Sequence, residues 1–428
     1  MDYSESCAYL DSLQMFRIKL GLETMRLLLA GLGHPERGLA CIHIAGTNGK
    51  GSVGSTLRSL FGAAGWRAGL YSSPHLVSVR ERFAIGEELI SEAEFAALMT
   101  ALRREIAAIP AGPEPTWFEC ATLAAFRWLA EKQVDVAILE TGLGGRLDAT
   151  NVVQPLVSII TDISRDHEAY LGADLKSIAA EKAGIIKPGV PVVCSGRSGD
   201  SRAVIEACCT RNASPLYLFG RDFSAAMRPH GLYYRGIHGR EFRDLPLVLP
   251  GEHQVLNAAL ALAALELVAG RLPVDEAAIR RGMAAVHWPG RMEYLQARGR
   301  RIVLDGAHNE AGVAALCAAL EALEAGHRIV LIWGNMADKN MAAARSRLFA
   351  LAGSIILTRA ETLRSARPGE LQQELAPAER ARTRVVEPVA AALNAALADT
   401  GPEDLLCVAG SLYLVGQVRS LLKPGAAV

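Results

Sequence analysis

The segment Ile44-Ala45-Gly46-Thr47-Asn48-Gly49-Lys50-Gly51-Ser52 places glycines, a lysine and a hydroxyl between an apolar run and a helical pattern. A phosphate loop belongs at such a junction. Successive main-chain N–H groups can face a phosphate chain there, and the helix start adds about half a positive charge. Lys50 can neutralise phosphate oxygens, and Ser52 offers a hydroxyl to magnesium. The spacing departs from GxxxxGK[ST], because the loop is shorter and Gly51 separates Lys50 from Ser52. A plain glycine-rich turn is the alternative, and the strand before it and helix after it argue against that.

Glu140 closes a second apolar run, just before Thr141-Gly142-Leu143-Gly144-Gly145. A carboxylate there suits magnesium, a hard cation that takes oxygen ligands; a solvated strand-end glutamate is the other reading. Asp166-His167 follows a third run and can supply a further ligand. A single histidine is more often structural, but a shared sheet edge with Lys50 and Glu140 strengthens its claim. Lys182 falls in the middle of the apolar stripe of a helix over Leu175–Gly184. Either it snorkels at the helix end, or it is held inward for chemistry; reaction as an amine would then require desolvation to depress its pKa.

Three later motifs carry polar chemistry. Gly251-Glu252-His253-Gln254 with Asn257 opens a helix, where amides and an imidazole can read a base or ribose or can serve capping and packing. Pro289-Gly290-Arg291 offers a permanently charged arginine for a phosphate. Asp305-Gly306-Ala307-His308-Asn309 ends another apolar run. An Asn N-cap explains Asn309 but not the Asp and His beside it.

The elements that must position these residues follow from periodicity. Through the first 290 residues or so, short apolar runs alternate with helical patterns, which predicts a parallel sheet with crossover helices. The runs are Leu39–Ala45, Arg67–Tyr71 (leading into Ser72-Ser73-Pro74), Val136–Glu140 and Leu156–Ile163. Ligands of such sheets bind at the carboxyl ends of the strands, where these runs end in polar or glycine-rich chemistry. From about Arg300 the rhythm restarts. Strands are expected at Arg301–Asp305, Arg328–Trp333 and Ser354–Thr358, with helices at Glu310–Ala325 and Lys339–Leu351. A further β-α-β-α series runs from Thr383 through Asp404–Ala409 to the end. Pro and Gly at His287-Trp288-Pro289-Gly290 mark the break, so two domains with a cleft between them are expected.

With 428 residues, half of them apolar, and 45 basic against 45 acidic side chains, the chain can bury proper cores and has no general electrostatic pull towards nucleic acid or anionic membrane. No secretory leader is visible after Met1, and no apolar run reaches a membrane span. The Ala-rich stretch from Ala258 to Ala269 carries Glu266 and suits a packed helix. Eight scattered cysteines without a CxxC pair read as reduced thiols of a cytoplasmic protein.

Taken together, these residues resemble the folylpolyglutamate synthase/dihydrofolate synthase family, within the Mur ligase superfamily. The likeness runs from Phe16-Arg17-Ile18-Lys19-Leu20-Gly21-Leu22-Glu23 through Gly46–Ser52, Tyr71–Leu76, Phe118-Glu119, the run Glu140–Asn151, Asp166-His167 and Glu181–Ile185. It continues through Gly251–Asn257, Pro289-Gly290-Arg291, Asp305–Asn309, Asp338-Lys339 and Gly410–Tyr413. GTNGKGS and ETGLGGRLDATN, in this order and spacing, are highly specific.

The resemblance implies a P-loop-type, mostly parallel α/β domain over 1–288, the ATP-binding Mur ligase-like part. A smaller Rossmann-like α/β glutamate ligase domain over 289–428 would follow, with the active site in the interdomain cleft. It implies an ATP-dependent ligase of the EC 6.3.2 type that adds L-glutamate to dihydropteroate, to the γ-carboxylate of reduced folates, or to both, through an acyl phosphate. By the same resemblance Asn48, Gly49, Lys50, Gly51 and Ser52 would hold the ATP phosphates, and Asn257, Arg291 and Asp305 would contact ATP with His308 close by. Ser73, Glu140 and His167 would coordinate magnesium. Lys182 would match a carbamylated lysine that helps place a second magnesium ion. Thr116, Trp117, Phe118 and Glu119, with Leu147, Asp148 and Ala149, would form the pterin side, the aromatic pair packing on the flat ring. A monomer acting on small molecules, without nucleic acid or membrane, is implied. The competing readings are a monofunctional folylpolyglutamate synthase, a ligase of cell-wall precursors with the same loop, and a nucleotide-binding regulatory switch.

Overall fold

The computed structural model describes residues 1–13, 21–110, 112–337, 339, 341–362 and 364–423. Phe16–Leu20 and Asp338 of the motifs above lie outside the described residues. The first sheet has eight strands: β1 (Cys41–Ala45), β2 (Ala68–Tyr71), β3 (Phe83–Ile85), β4 (Glu88–Leu89), β5 (Val136–Glu140), β6 (Val157–Ile160), β7 (Val192–Cys194) and β8 (Leu216–Leu218), in the order β4-β3-β2-β5-β1-β6-β7-β8. β1 is buried along its whole length and pairs in parallel with β5 on one side and β6 on the other. Near-continuous burial is the mark of a parallel strand covered on both faces. The chain leaves β1 towards β2 on one flank and later reaches β6 on the other, so the direction of winding reverses at β1. That reversal opens a crevice where β1 ends.

The helix Lys50–Ala63 fills the return from β1. Val53, Leu57, Leu60 and Phe61 are buried along one stripe of it, the i, i+4, i+7, i+8 spacing of a core-facing helix. The first unit is mostly parallel, with antiparallel pairing at two places. β3 runs antiparallel to β2, and β4 antiparallel to β3. A separate antiparallel sheet is formed by β9 (Ser224–Arg228), β10 (Gly231–Arg235) and β11 (Glu241–Leu245). Connections this short cannot house a crossover helix, so the strands fold back on each other. The run expected over Leu156–Ile163 also ends earlier, at Ile160. The Ala-rich helix spans Glu252–Val268, and Glu266 accepts a hydrogen bond from the buried Tyr234 hydroxyl at 2.6 Å.

The second sheet comprises β12 (Glu293–Ala297), β13 (Arg300–Leu304), β14 (Ile329–Trp333), β15 (Ala352–Leu357), β16 (Thr383–Val385) and β17 (Leu405–Ala409), in the order β12-β13-β17-β14-β15-β16. Only β12 is antiparallel to its neighbour. Alternate residues divide between two cores: Val303, Leu331, Trp333 and Ile355 to one, Ile302, Val330, Ile332 and Ile356 to the other. The period of two, apolar on both faces, is what places helices on both sides. The chain divides into two compact units. One holds Met1–His75, Val79–Val248 and Gln254–His287; the other holds Trp288–Val428 together with Leu76–Ser78 and Leu249–His253. Among the described residues no helix is long and apolar enough to cross a membrane.

In the second unit Glu293, at the start of β12, accepts the Gly290 N–H at 2.9 Å and the Arg419 guanidinium at 3.1 Å. Both charged side chains are below a tenth exposed, so the pair is desolvated and each partner depends on the other. Glu293→Ala leaves Arg419 buried without its carboxylate. Urea unfolding is expected to show a loss of about 3–5 kcal/mol, and a loss within experimental error would mean that water already solvates the pair.

Candidate active site

The chain leaves β1 at Gly46, whose backbone approaches Thr161 so closely that a Cβ would come within 1.7 Å of its hydroxyl oxygen. From there the loop is stitched to the segment that follows β6. The Thr47 N–H donates to the Asp162 carbonyl at 2.7 Å and the Thr161 hydroxyl to the Asn48 carbonyl at 2.7 Å. The Thr47 hydroxyl accepts the Ser164 N–H at 3.1 Å, and the Asn48 amide donates to the Ser164 hydroxyl at 3.2 Å. Gly49 then turns the chain into the helix with φ +89°, and Asn257 Oδ1 stands 2.3 Å from where a Cβ would be. Only glycine satisfies both demands at once.

Two lysines converge on this loop. Lys50 Nζ donates to the carbonyl oxygens of Gly46 at 3.1 Å and Thr47 at 3.3 Å, and lies 3.8 Å from Glu140 Oε1. Lys182, from the helix Leu175–Ala183, donates to the same Gly46 oxygen at 2.9 Å. It is 3 % exposed, so the inward reading of its position holds and the snorkelling one fails. Burial, then the charge of Lys50, depress its pKa to about 7, while Asp166 and Asp148 oppose the shift. Glu140 is buried at the end of β5 and accepts the Ser73 N–H at 3.2 Å. The structure thus brings together Lys50, Lys182, Glu140 and the backbone of Ser73. Ser52 is joined to the same group through Gln254, whose amide meets the Ser52 hydroxyl at 3.4 Å and accepts from Asn257 at 2.9 Å.

His167 sits in the left-handed region at φ 52°, ahead of the single helical turn Glu168–Leu171, with its N–H on Asp166 Oδ1 at 2.8 Å. Asp148 organises the Gly142–Thr150 loop. Its carboxylate accepts the N–H groups of Gly142, Leu143 and Thr150 at 2.8, 2.9 and 3.0 Å, and the Thr150 hydroxyl at 2.5 Å. Four donors on one carboxylate offset much of the burial that raises its pKa. Thr150 is joined in turn to His43 Nε2 at 2.8 Å. Since the hydroxyl donates to Asp148, His43 Nε2 carries the proton, and Nδ1 is buried without a partner among the described residues. Burial accordingly pushes the His43 pKa down to about 3.

The residues expected on the pterin side are largely committed to the fold. Thr116 and Glu119 form a capping box at the start of the helix Trp117–Glu131. Trp117 is 3 % exposed, donates to Asp11 at 3.1 Å and carries the Arg82 guanidinium 4.4 Å from its ring centroid, which leaves no open ring face. Arg82 also donates to His75 Nδ1 at 2.9 Å; burial and then Arg82 depress the His75 pKa to about 3. Phe118 is half-buried and lies over Gly142, where a Cβ would meet the ring at 2.5 Å. Leu147 is half-buried and Ala149 is buried on the same loop as Asp148. The contacts of Arg82 with Trp117 and of Thr161 with Asn48 lack any local sequence signal, because each joins segments dozens of residues apart; Gln254 stands beside Asn257 in the motif Gly251–Asn257.

In the second unit Asp305 follows β13 and accepts the N–H groups of Met292 at 2.8 Å and Ala307 at 2.9 Å. Arg291 Nη1 lies alongside Gly306, 2.7 Å from where a Cβ would stand. His308 Nδ1 faces the Gly306 carbonyl at 2.7 Å, which fixes the ring proton on that nitrogen. Asn309 caps the helix Glu310–Leu323. Arg291, Asp305 and His308 therefore gather where β13 ends.

Residues 44–265 match the Mur ligase middle domain, and residues 290–412 match the Mur ligase, glutamate ligase domain. The chain is 33 % identical over 430 residues to a dihydrofolate synthase/folylpolyglutamate synthase of Bacillus subtilis, covering 98 % of this chain and 99 % of that protein. It is 35 % identical over 435 residues to a folylpolyglutamate synthase of Lacticaseibacillus casei, covering 99 % and 100 %. Among solved structures it is similar to E. coli FolC in complex with DHPP and ADP, with a TM-score of 0.89, 33 % identity and coverage of 98 % and 97 %. Mycobacterium tuberculosis folylpolyglutamate synthase complexed with ADP gives a TM-score of 0.91 at 33 % identity, over 98 % and 99 %.

The buried histidines make stability pH-dependent. With folded pKa values of about 3 for His43 and His75, the unfolded chain binds protons that the folded chain refuses once the pH drops below about 6.5. Stability therefore falls with pH from about 6.5 towards 3, by up to about 1.4 kcal/mol per pH unit for each histidine. His43→Gln is expected to flatten the fall by about one proton's worth, as read from urea midpoints between about pH 7 and 5. An unchanged slope would show that His43 is protonated in the folded state.

Proposed function

We propose that this chain, which belongs to the folylpolyglutamate synthase/dihydrofolate synthase family of Mur ligases, is an ATP-dependent amide ligase that joins L-glutamate to dihydropteroate and to the γ-carboxylate of reduced folates. The observation that carries the reading is the meeting of Lys50 and Lys182 on the Gly46 carbonyl, with Glu140 beside Lys50. The eight cysteines are all free, in keeping with a cytoplasmic location.

A carboxylate is a poor electrophile, so the reaction needs a leaving group. An oxygen of the acceptor carboxylate attacks the γ-phosphorus of ATP, the bond to the β–γ bridging oxygen breaks, and ADP departs, leaving an acyl phosphate. The neutral amine of L-glutamate attacks the carbonyl carbon; the tetrahedral intermediate collapses to the amide, releasing phosphate and, from the nitrogen, a proton. We assign to the N–H groups of Asn48–Gly51 and to Lys50 the charge that builds on the transferring phosphoryl oxygens. Ser52 and Asn257 are assigned to the neighbouring phosphates and nucleoside, and Arg291, Asp305 and His308 to nucleotide contact. Phe118, rather than Trp117, is assigned to the pterin ring, with Leu147 and Ala149 nearby and Thr116, Glu119 and Asp148 shaping the pocket from behind.

Ser73, Glu140 and His167 supply hydroxyl, carboxylate and imidazole donors that suit magnesium, and the buried Glu140 carboxylate already takes a cation, Lys50, at 3.8 Å. Magnesium at these residues would screen the charge of the ATP oxygens. A pKa of about 7 leaves much of Lys182 as free amine near neutral pH. That amine can add to carbon dioxide and lose a proton, forming a carbamate whose negative charge would complement Lys50 and a second magnesium ion.

Phosphate release measured in parallel with dihydropteroate and with tetrahydrofolate is expected to require L-glutamate in both cases. Glu140→Ala should abolish it while the circular dichroism spectrum stays unchanged. Acceptor-independent hydrolysis, or near-normal turnover by the variant, would contradict the assignment. For Lys182, the intact mass under bicarbonate should include a population heavier by one carbon dioxide that Lys182→Ala lacks. Only the bare amine in the wild type would rule out the carbamate.

A further inference from the structure

A cavity of about 620 Å³ lies in the first unit, away from the phosphate loop, with Arg26, His34, Glu36, Arg37, Asn151 and Lys187 in its wall. Leu39 and Gln154 also line it, and these residues just precede β1 and β6. The cavity therefore opens where those strands begin, whereas Gly46 follows the other end of β1. Its charge is one-sided: three permanent or near-permanent cations against a single carboxylate. That carboxylate is already engaged, since Glu36 Oε1 lies 2.9 Å from His34 Nδ1 and 3.8 Å from Arg37. Among the described residues the Lys187 ammonium donates to one neutral partner, the Asn151 carbonyl at 2.9 Å. Arg26 sits on the helix Glu23–Gly31, and its guanidinium makes no hydrogen bond or ion pair among the described residues. Arg26 nonetheless acts electrostatically on Lys187, helping burial to lower its pKa.

We propose that this cavity is a second binding site, for a small molecule carrying two or more acidic groups. Isolated surface cations point into water and cost nothing. Like charges gathered around a concave wall repel one another and focus a positive potential into the space between them. An anion with two acidic groups spans Arg26 and Lys187, removes their repulsion, and accepts charge-assisted hydrogen bonds from the forked donors of Arg37 and Arg26. Phosphate and carboxylate groups meet this chemistry equally. The site is independent of the ligase reading, because none of its residues belongs to the loop or to the Lys50–Glu140 group.

The test is calorimetric titration of the full chain with inorganic pyrophosphate and, separately, with tricarballylate, in the presence of a saturating non-hydrolysable ATP analogue that occupies the phosphate loop. One equivalent of at least one probe is expected to bind, more weakly as salt rises, and roughly tenfold or more weakly in Arg26→Gln/Arg37→Gln. These side chains reach solvent, and an unchanged thermal midpoint of the variant shows that its fold is intact. Binding of pyrophosphate alone assigns the site to phosphates, and of tricarballylate alone to carboxylates; either supports the proposal. No binding of either probe, or binding indifferent to the double substitution, overturns it.

Discussion

Two ammonium groups share one carbonyl oxygen where β1 ends. Lys50 and Lys182 both donate to Gly46, at 3.1 and 2.9 Å, so their nitrogens lie within about 6 Å of each other. At an effective dielectric constant of about 20, two full charges so placed repel by on the order of 3 kcal/mol. One of them is also almost wholly out of water. The site tolerates this because carboxylates stand on both sides, Glu140 near Lys50 and Asp166 and Asp148 near Lys182, and because Lys182 can surrender its proton. Strand order, loop stitching and helix placement all serve to hold this crowded group in place.

The sheet explains how residues so far apart in sequence reach one carbonyl. β1 is flanked by β5 and β6, so Glu140 and the Thr161–Ser164 segment emerge on either side of the loop. The stitching by Thr47, Asn48 and Thr161 then keeps the loop from relaxing away from its crowded lysines. Asp148 does the same for the Gly142–Thr150 loop, taking four donors on a single carboxylate. Both loops are thus fixed by hydrogen bonds before any ligand arrives, which is the arrangement that favours electrostatic preorganisation.

Much of this was legible in the sequence, for physical reasons that also mark where legibility stops. The apolar run Val136–Glu140 has the limits of β5, and the runs at β1, β2 and β14 match those strands to within two residues, because buried parallel strands are dense apolar runs with sharp polar ends. The apolar run from Leu156 outlasts its strand: Thr161 and Asp162 leave the ladder to bond the loop, and the apolar Ile163 hides that change. The sheet β9–β11 went unread, since its short strands, with half-exposed faces, carry a weak alternation beside the stronger helical signals. Arg82 covers the Trp117 ring from 35 positions earlier, a contact of which the sequence around Trp117 gives no signal. Likewise, three residues, Leu76–Ser78, join the second unit without any pattern to announce them, drawn in where Gly416 lets a helix touch the Leu76 main chain.

The identity of residue 182 follows from the same electrostatics. An arginine would fit the helix and could bond the Gly46 carbonyl, yet its guanidinium stays charged at any pH that a folded protein survives. It would keep the full repulsion from Lys50 and the full desolvation penalty. Lysine alone among the cationic side chains combines the reach with an amine that burial can neutralise. A neutral amine is also a nucleophile, so the property that makes position 182 tolerable in the fold is the one that opens it to covalent modification. Stability and chemistry at this position therefore select the same side chain, and the pressure that selects it is the proximity of Lys50.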